Sequence, residues 1–139
     1  MKLSTRSRYG TRLVLELAIK FEEGPVYLKD ISRSQGISLK YLGQLVIPLK
    51  MAGIINSSRG AHGGYFLAKD PETIRLSEII NILEGPIGIV DCINDKNACD
   101  RYKTCSVRFF WEEINSNFYR SLEGITLKDM VKHYNDTNI

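Results

Sequence analysis

The chain has 139 residues, 43% of them apolar and 25% charged, with a formal net charge of +3. That length supports a hydrophobic core without disulfide staples, and the composition argues against disorder. No apolar run approaches the roughly 18 residues of a membrane span, and Met1–Arg8 is too polar for a secretory signal. The three cysteines are an odd number, which speaks against a closed disulfide framework and for a reducing cytoplasm.

The charge is unevenly spread. Residues 1–60 carry ten basic groups (Lys2, Arg6, Arg8, Arg12, Lys20, Lys29, Arg33, Lys40, Lys50 and Arg59) against four acidic ones, and the remainder carries nine against twelve. A basic amino-terminal half is what a polyanion-binding face requires, although a solvated helix surface produces the same count.

Thr11–Phe21 reads as an amphipathic helix, with Leu13, Val14, Leu17, Ala18 and Phe21 on one stripe, stopped by Glu23-Gly24-Pro25. Leu28–Gln35 reads as a second helix ending at Gly36. A third starts after Ser38, a good N-cap, and runs to about Met51, with Gly53 closing it. Helix, short glycine-containing turn, helix is the helix-turn-helix arrangement. In the third helix Leu42, Leu45, Val46 and Leu49 form the core stripe, and Lys40, Gly43, Gln44 and Ile47 lie opposite. Pro48 removes a backbone donor inside that helix and predicts a kink or an early end.

The period then changes. Ile54–Ser58 and Gly64–Ala68 read as strands joined by Arg59-Gly60-Ala61-His62-Gly63, where the glycines permit a tight turn. A hairpin directly after a helix-turn-helix is a wing. Asp70-Pro71 makes a turn, Ser77–Glu84 a short helix with Ile79, Ile80 and Leu83 inward, and Gly85-Pro86 ends it. Gly88–Cys105 has no helical periodicity and holds all three cysteines. After it Val107, Phe110, Trp111, Ile114, Phe118 and Leu122 trace a long apolar stripe, with Arg108, Glu112, Asn115 and Arg120 off it. Such a stripe either packs on its own domain or joins a second copy in a symmetric dimer, the outcome expected for a short winged chain. The fold class is thus mainly α with a small β wing. It divides into a winged DNA-binding domain at 1–87, a cysteine loop at 88–105, and a dimerisation helix with a terminal segment at 106–139.

The opening Met-Lys-Leu-Ser-Thr-Arg-Ser-Arg-Tyr, Asp30-Ile31-Ser32, Gly36-Ile37-Ser38, Tyr41-Leu42 and above all Arg59-Gly60-Ala61-His62-Gly63-Gly64-Tyr65 resemble the Rrf-type winged-helix transcription regulators over residues 1–131. The resemblance implies a homodimer crossing its long helices, each winged half reading half of a near-palindromic double-stranded DNA operator. It places Ser38, Lys40, Tyr41 and Gln44 nearest the bases of the major groove, with Tyr41 alternatively a packing aromatic. Arg59 suits a narrow minor groove beside a close-approaching Gly60, and Arg6 and Arg8 suit phosphates. An acidic residue that tunes site choice in one branch is replaced here by Gly43, so the operator does not carry over.

The cysteines are spaced Cys92-x6-Cys99-x5-Cys105. Thiolates are soft ligands for iron–sulfur clusters, zinc or copper(I), and zinc prefers closer pairs than this loop offers. Resemblance to the cluster-binding branch implies an iron–sulfur cluster, 2Fe–2S or 4Fe–4S, that senses iron, redox state or nitric oxide. The fourth ligands that the resemblance implies are both absent: Arg108 stands where one branch has a histidine, and Arg8 where another has a carboxylate supplied by the partner subunit. His62 in the wing and His133 near the terminus read as surface histidines rather than ligands, and Glu16, Asp91 and Asp100 are oxygen candidates. The other reading is a cofactor-free regulator governed by thiol redox or a partner protein. No P-loop, dinucleotide fingerprint or nucleophile–base pair supports an enzyme.

Overall fold

A computed structural model describes residues 2–61 and 63–138. His62, a weak ligand candidate in the wing turn, lies outside them. The architecture is mainly helical with one two-stranded antiparallel sheet: α1 (Thr5–Ile19), α2 (Leu28–Gln35), α3 (Leu39–Met51), β1 (Ile55–Ser58), β2 (Gly64–Leu67), a 3-10 turn at Pro71–Thr73, α4 (Leu76–Glu84), a single-turn α5 (Asp91–Asn94), α6 (Arg108–Glu123) and α7 (Leu127–Thr137). None of the helices described is long and apolar enough to cross a membrane.

The first helix starts six residues before the expected Thr11. Ser4 caps it, its hydroxyl accepting from the Ser7 N–H at 3.2 Å. The helix ends at Ile19, short of Phe21, because Glu22 enters the left-handed region at φ 66°. The bounds of α2 agree with the sequence reading, and left-handed Gly36 closes it with its N–H on the Ser32 carbonyl. Ser38 caps α3 through the Tyr41 N–H at 3.1 Å. The early end expected at Pro48 does not occur, and α3 runs three residues further to Met51. Proline removes one hydrogen bond near the end of the helix, while Leu42, Leu45, Val46 and Leu49 are all buried on its inner face.

The strands pair from Ile55–Leu67 to Ser58–Gly64. Val26 adds a third edge by exchanging two 2.8 Å hydrogen bonds with Tyr65. Gly64 is required there: a Cβ would stand 2.6 Å from the Val26 carbonyl oxygen. The core joins Leu13, Val14 and Leu17 of α1 to Ile31, to the inner face of α3, and to Ile54, Ile55, Leu67 and Ile79. Each such side chain contributes about 1.5–3 kcal/mol on burial.

The terminal helix α7 folds back on α1 and inserts fully buried Leu127 into the same core. A capping box starts it: Thr126 Oγ1 accepts from the Asp129 N–H at 3.1 Å, and the Asp129 carboxylate accepts from the Thr126 N–H at 2.9 Å. Those bonds hold the Asp129 carboxyl below its ordinary value. Backbone bonds from Leu76 N–H to Ile125 and from Leu127 N–H to Ile74 fix the carboxy-terminal end of α6 to the body.

Candidate nucleic-acid interface and cysteine loop

The outward face of α3 carries exposed Lys40 and Gln44, with Ser38 exposed at its cap. Tyr41 lies between the two faces. Its half-buried ring meets Tyr9 of α1 edge-on, centroids 5.9 Å apart at 86°, so a large part of it serves packing. Tyr9 in turn lies beneath two guanidinium groups, Arg8 at 5.7 Å and Arg12 at 5.3 Å from its centroid. Arg6 and Arg8 are exposed on the first turn of α1, and Arg8 also donates to Thr5 Oγ1 at 3.3 Å. Arg12 has an internal role: Nε donates to Gln35 Oε1 at 2.8 Å and Nη2 to the Gln35 carbonyl at 2.5 Å, where α2 ends. The Gln35 side chain passes on to Glu16, which also accepts from Ser34 at 3.3 Å. This network fixes α2 on α1 and so sets the base from which α3 projects. It also occupies Glu16, one of the oxygen ligands considered above.

Arg59 and Gly60 are exposed at the turn between β1 and β2. Two side chains that sequence reasoning did not single out hold this turn in place. The Tyr27 hydroxyl donates to the Ala61 carbonyl at 2.8 Å, and Lys50 Nζ, from the last turn of α3, donates to Ser57 Oγ at 2.6 Å. No periodicity marks such residues, because they are polar contacts across long chain separations.

The cysteine loop is bonded mainly to itself. Turns run from the Ala98 N–H to Asp95, from Tyr102 to Cys99 and from Thr104 to Arg101. Cys92 lies in α5 and is half-buried, Cys99 is exposed and Cys105 half-buried, all three as free thiols. Among the described residues, no group of three His, Cys, Asp or Glu side chains is assembled to hold a metal. The three thiols match a cluster in donor chemistry, and Asp91 and Asp100 are the chain neighbours of Cys92 and Cys99, but among the described residues these donors are not gathered into one cage. Arg108, at the start of α6, is engaged otherwise. Its guanidinium stacks on Tyr102 at 3.9 Å, donates to the Tyr102 carbonyl at 2.6 Å, and lies 3.3 Å from Glu112 without the angle of a hydrogen bond. His133 is exposed on α7.

The same helix turns an unexpected side inward. Asn115, read from the sequence as off the apolar stripe, is buried, its Oδ1 accepting from the Ile89 N–H at 3.0 Å and its Nδ2 donating to the Ile87 carbonyl at 3.3 Å. Arg108, Glu112, Asn115, Tyr119 and Leu122 form the inward face, at spacings of three and four. Val107, Phe109, Phe110, Trp111 and Ile114 are left exposed, Phe109 by 66%. Of the predicted stripe, only Phe118 and Leu122 turn toward the chain's own body.

A helix-turn-helix followed at once by a wing, with a separate helix carrying an open apolar face, is matched by the family model described as Rrf2, iron-dependent transcriptional regulator, over residues 3–133. The chain belongs to this family. Among Rrf2 relatives, the protein rrf2 of Nitratidesulfovibrio vulgaris is 44% identical over 132 residues, covering 95% of this chain and 88% of that one. The solved structure of CymR, the global cysteine regulator of Bacillus subtilis, superposes with a TM-score of 0.81 at 40% identity, covering 96% of this chain and 98% of the other. The structure of T. potens IscR gives 0.80 at 36% identity, covering 100% and 92%. The winged-helix fold and the role of transcriptional regulator, not enzyme, follow from these likenesses.

Proposed function

We propose that the chain is a homodimeric repressor that holds a double-stranded operator through α3 and the wing, and that senses iron, redox state or nitric oxide through an iron–sulfur cluster on Cys92, Cys99 and Cys105. The observation that carries the reading is a coincidence on one short segment. Three free thiols sit on a loop that runs directly into α6, whose apolar face is left open by its own chain.

In this reading Ser38, Lys40, Tyr41 and Gln44 present the first turns of α3 to base edges, where Gln44 matches adenine and Lys40 guanine or a phosphate. Arg59 enters the minor groove beside Gly60, and Arg6 and Arg8 clamp phosphates. Phe110, Trp111 and Ile114 meet their counterparts in a second copy. A bound cluster supplies chemistry that iron supply, oxidants and nitric oxide alter. Arg108 and Asn115 connect the loop to α6, so a change in loop order reaches the dimer seam, by no more than the cluster's preference for one dimer geometry over the other.

The test is iron and acid-labile sulfide per chain, with an absorbance spectrum, on protein purified without oxygen. Matching iron and sulfide with visible colour is the expected result. Iron-free protein that resists anaerobic reconstitution overturns the cluster and leaves control by thiol redox or a partner protein. The DNA arm is read separately from salt dependence: removing Arg6 and Arg8 flattens the slope of log affinity against log salt by about one for each phosphate left without its cation.

A further inference from the structure

The outward face of α3 is only half explained by polar readout. Lys40 and Gln44 share it with Leu39, Ile47 and Met51, of which Ile47 is 58% and Met51 84% exposed. These apolar residues are not borrowed from the core, because Leu42, Leu45, Val46 and Leu49 already complete the buried face. Helix propensity does not account for Ile47, since β-branched isoleucine is a weaker helix former than the lysine or glutamine beside it. Isolated exposed apolar residues need no explanation, but these lie together on one side of one helix.

Gly43 sits in their midst. A Cβ at this position would meet nothing within 4 Å, so packing does not demand glycine, and glycine is a poor choice in a helix interior. What it does is bare the backbone between Leu39 and Ile47. Lys40, Gly43, Gln44 and Ile47 follow the i, i+3, i+4, i+7 spacing at which a helix lying in a groove meets successive bases. In the major groove the only apolar group on an unmodified base edge is the C5-methyl of thymine.

We infer that Ile47 and Leu39, flanking the bared backbone of Gly43, read thymine C5-methyl groups, making this chain's operator thymine-bearing where α3 enters the groove. The inference rests on the proposal above that α3 enters the major groove, and it adds Leu39 and Ile47 to the residues that set specificity. Continuity with Lys40 and Gln44 favours DNA over a protein as the occupant of this face.

The experiment selects bound duplexes from a random pool with the full chain, purified without oxygen and again after air exposure. The selected site is then synthesised with deoxyuridine replacing every thymidine, which removes the methyl groups and keeps every hydrogen-bonding atom. The wild type is expected to lose about fourfold in affinity for each methyl it buries. Ile47→Ala and Leu39→Ala are expected to melt like the wild type, to bind the thymine duplex more weakly, and each to lose part of the preference for thymine over uracil. Tight binding with no thymine preference overturns the methyl reading while sparing the DNA-binding one. An unchanged preference in both variants overturns it too, by assigning the effect to DNA shape or to other residues. Failure to enrich any duplex in either state overturns both readings and points to a protein surface.

Discussion

The winged body and the segment from Gly88 to Glu123 solve the problem of apolar surface in opposite ways. In the body, α1, α3, β1, β2 and α4 each bury their apolar face against another of the same set, and Leu13, Leu42, Leu45, Leu49, Ile54 and Ile79 are sealed from solvent. In α6, sixteen residues long, only Asn115 and Leu122 are buried, while Phe109, Phe110 and Ile114 face outward. The body is complete as a single chain. The loop and α6 are held to it by a few polar contacts and by Phe118 and Leu122, and most of the large apolar residues of α6 are left facing outward.

The sharpest way to break this contrast is to charge the open face. Phe110→Asp with Ile114→Asp places unpaired carboxylates where a second copy is proposed to pack, and desolvating each costs several kcal/mol. Dimer dissociation is expected to rise at least a thousandfold by sedimentation, with operator affinity falling alongside, while the melting temperature of the resulting monomer stays within a few degrees of that of the diluted wild type. A dimer that survives the double change would place the interface elsewhere.

Next in size is the mirror experiment. Leu42→Ala removes a sealed side chain from α3 and is expected to lower unfolding stability by about 2–5 kcal/mol in denaturant titrations. Trp111→Ala, made in the monomer produced by the charged pair, is expected to cost under about 1 kcal/mol, because the ring is partly exposed in the lone chain. Equal costs would mean that α6 belongs to the same cooperative core as α3.

Asn115 marks the seam between the two regions. Asn115→Ala leaves the Ile89 N–H and the Ile87 carbonyl without their partner, at about 1–3 kcal/mol. Hydrogen exchange is expected to rise at Ile89 and through 88–105 with little change in α1 or α3. Global loss of protection instead would make the loop part of the body.

Legibility in the sequence divides along the same seam. The bounds of α2, the Ser38 cap, the Gly36 turn and the wing were readable, because glycine, serine and alternating apolar residues mark them locally. The first turns of α1 were not, since Thr5–Thr11 carries arginines outward and has only Ser7 and Gly10 buried. The Ser4 cap was the available signal. The separate helix α7 was missed although Thr126-x-x-Asp129 spells its capping box. The inward side of α6 was hidden for a deeper reason: apolar periodicity locates the face that will be covered, and here a partner is proposed to cover it while the chain's own contact is made by Asn115 and Arg108. The candidate DNA residues were legible as positions on α3 and the wing, whereas Tyr27, Lys50 and the Arg12–Gln35–Glu16 network, which aim them, depend on tertiary contacts that no local pattern records.

The smallest expected effect concerns how the body closes before the chain leaves for the loop. Glu84, the last residue of α4, accepts from the Ser4 N–H at 2.7 Å, placing a carboxylate at the amino-terminal end of α1. Hydrogen bonding from Ser4 holds its pKa below the ordinary value of 4.5. A carboxyl more acidic in the folded than in the unfolded state stabilises fully above the unfolded value and loses that contribution as pH falls through the folded one. Stability of the wild type is therefore expected to decline below about pH 4.5 more steeply than that of Glu84→Gln, with the two differing by about a few tenths of a kcal/mol at neutral pH because the carboxylate is solvent-exposed. Paired denaturant titrations from pH 3 to pH 7 read this difference. Parallel curves would show that the carboxylate's charge contributes nothing at this latch, leaving the Ser4 cap and the close packing of α1 on α4, where a Cβ on Gly10 would run into Leu83 Cδ1, to hold the body shut.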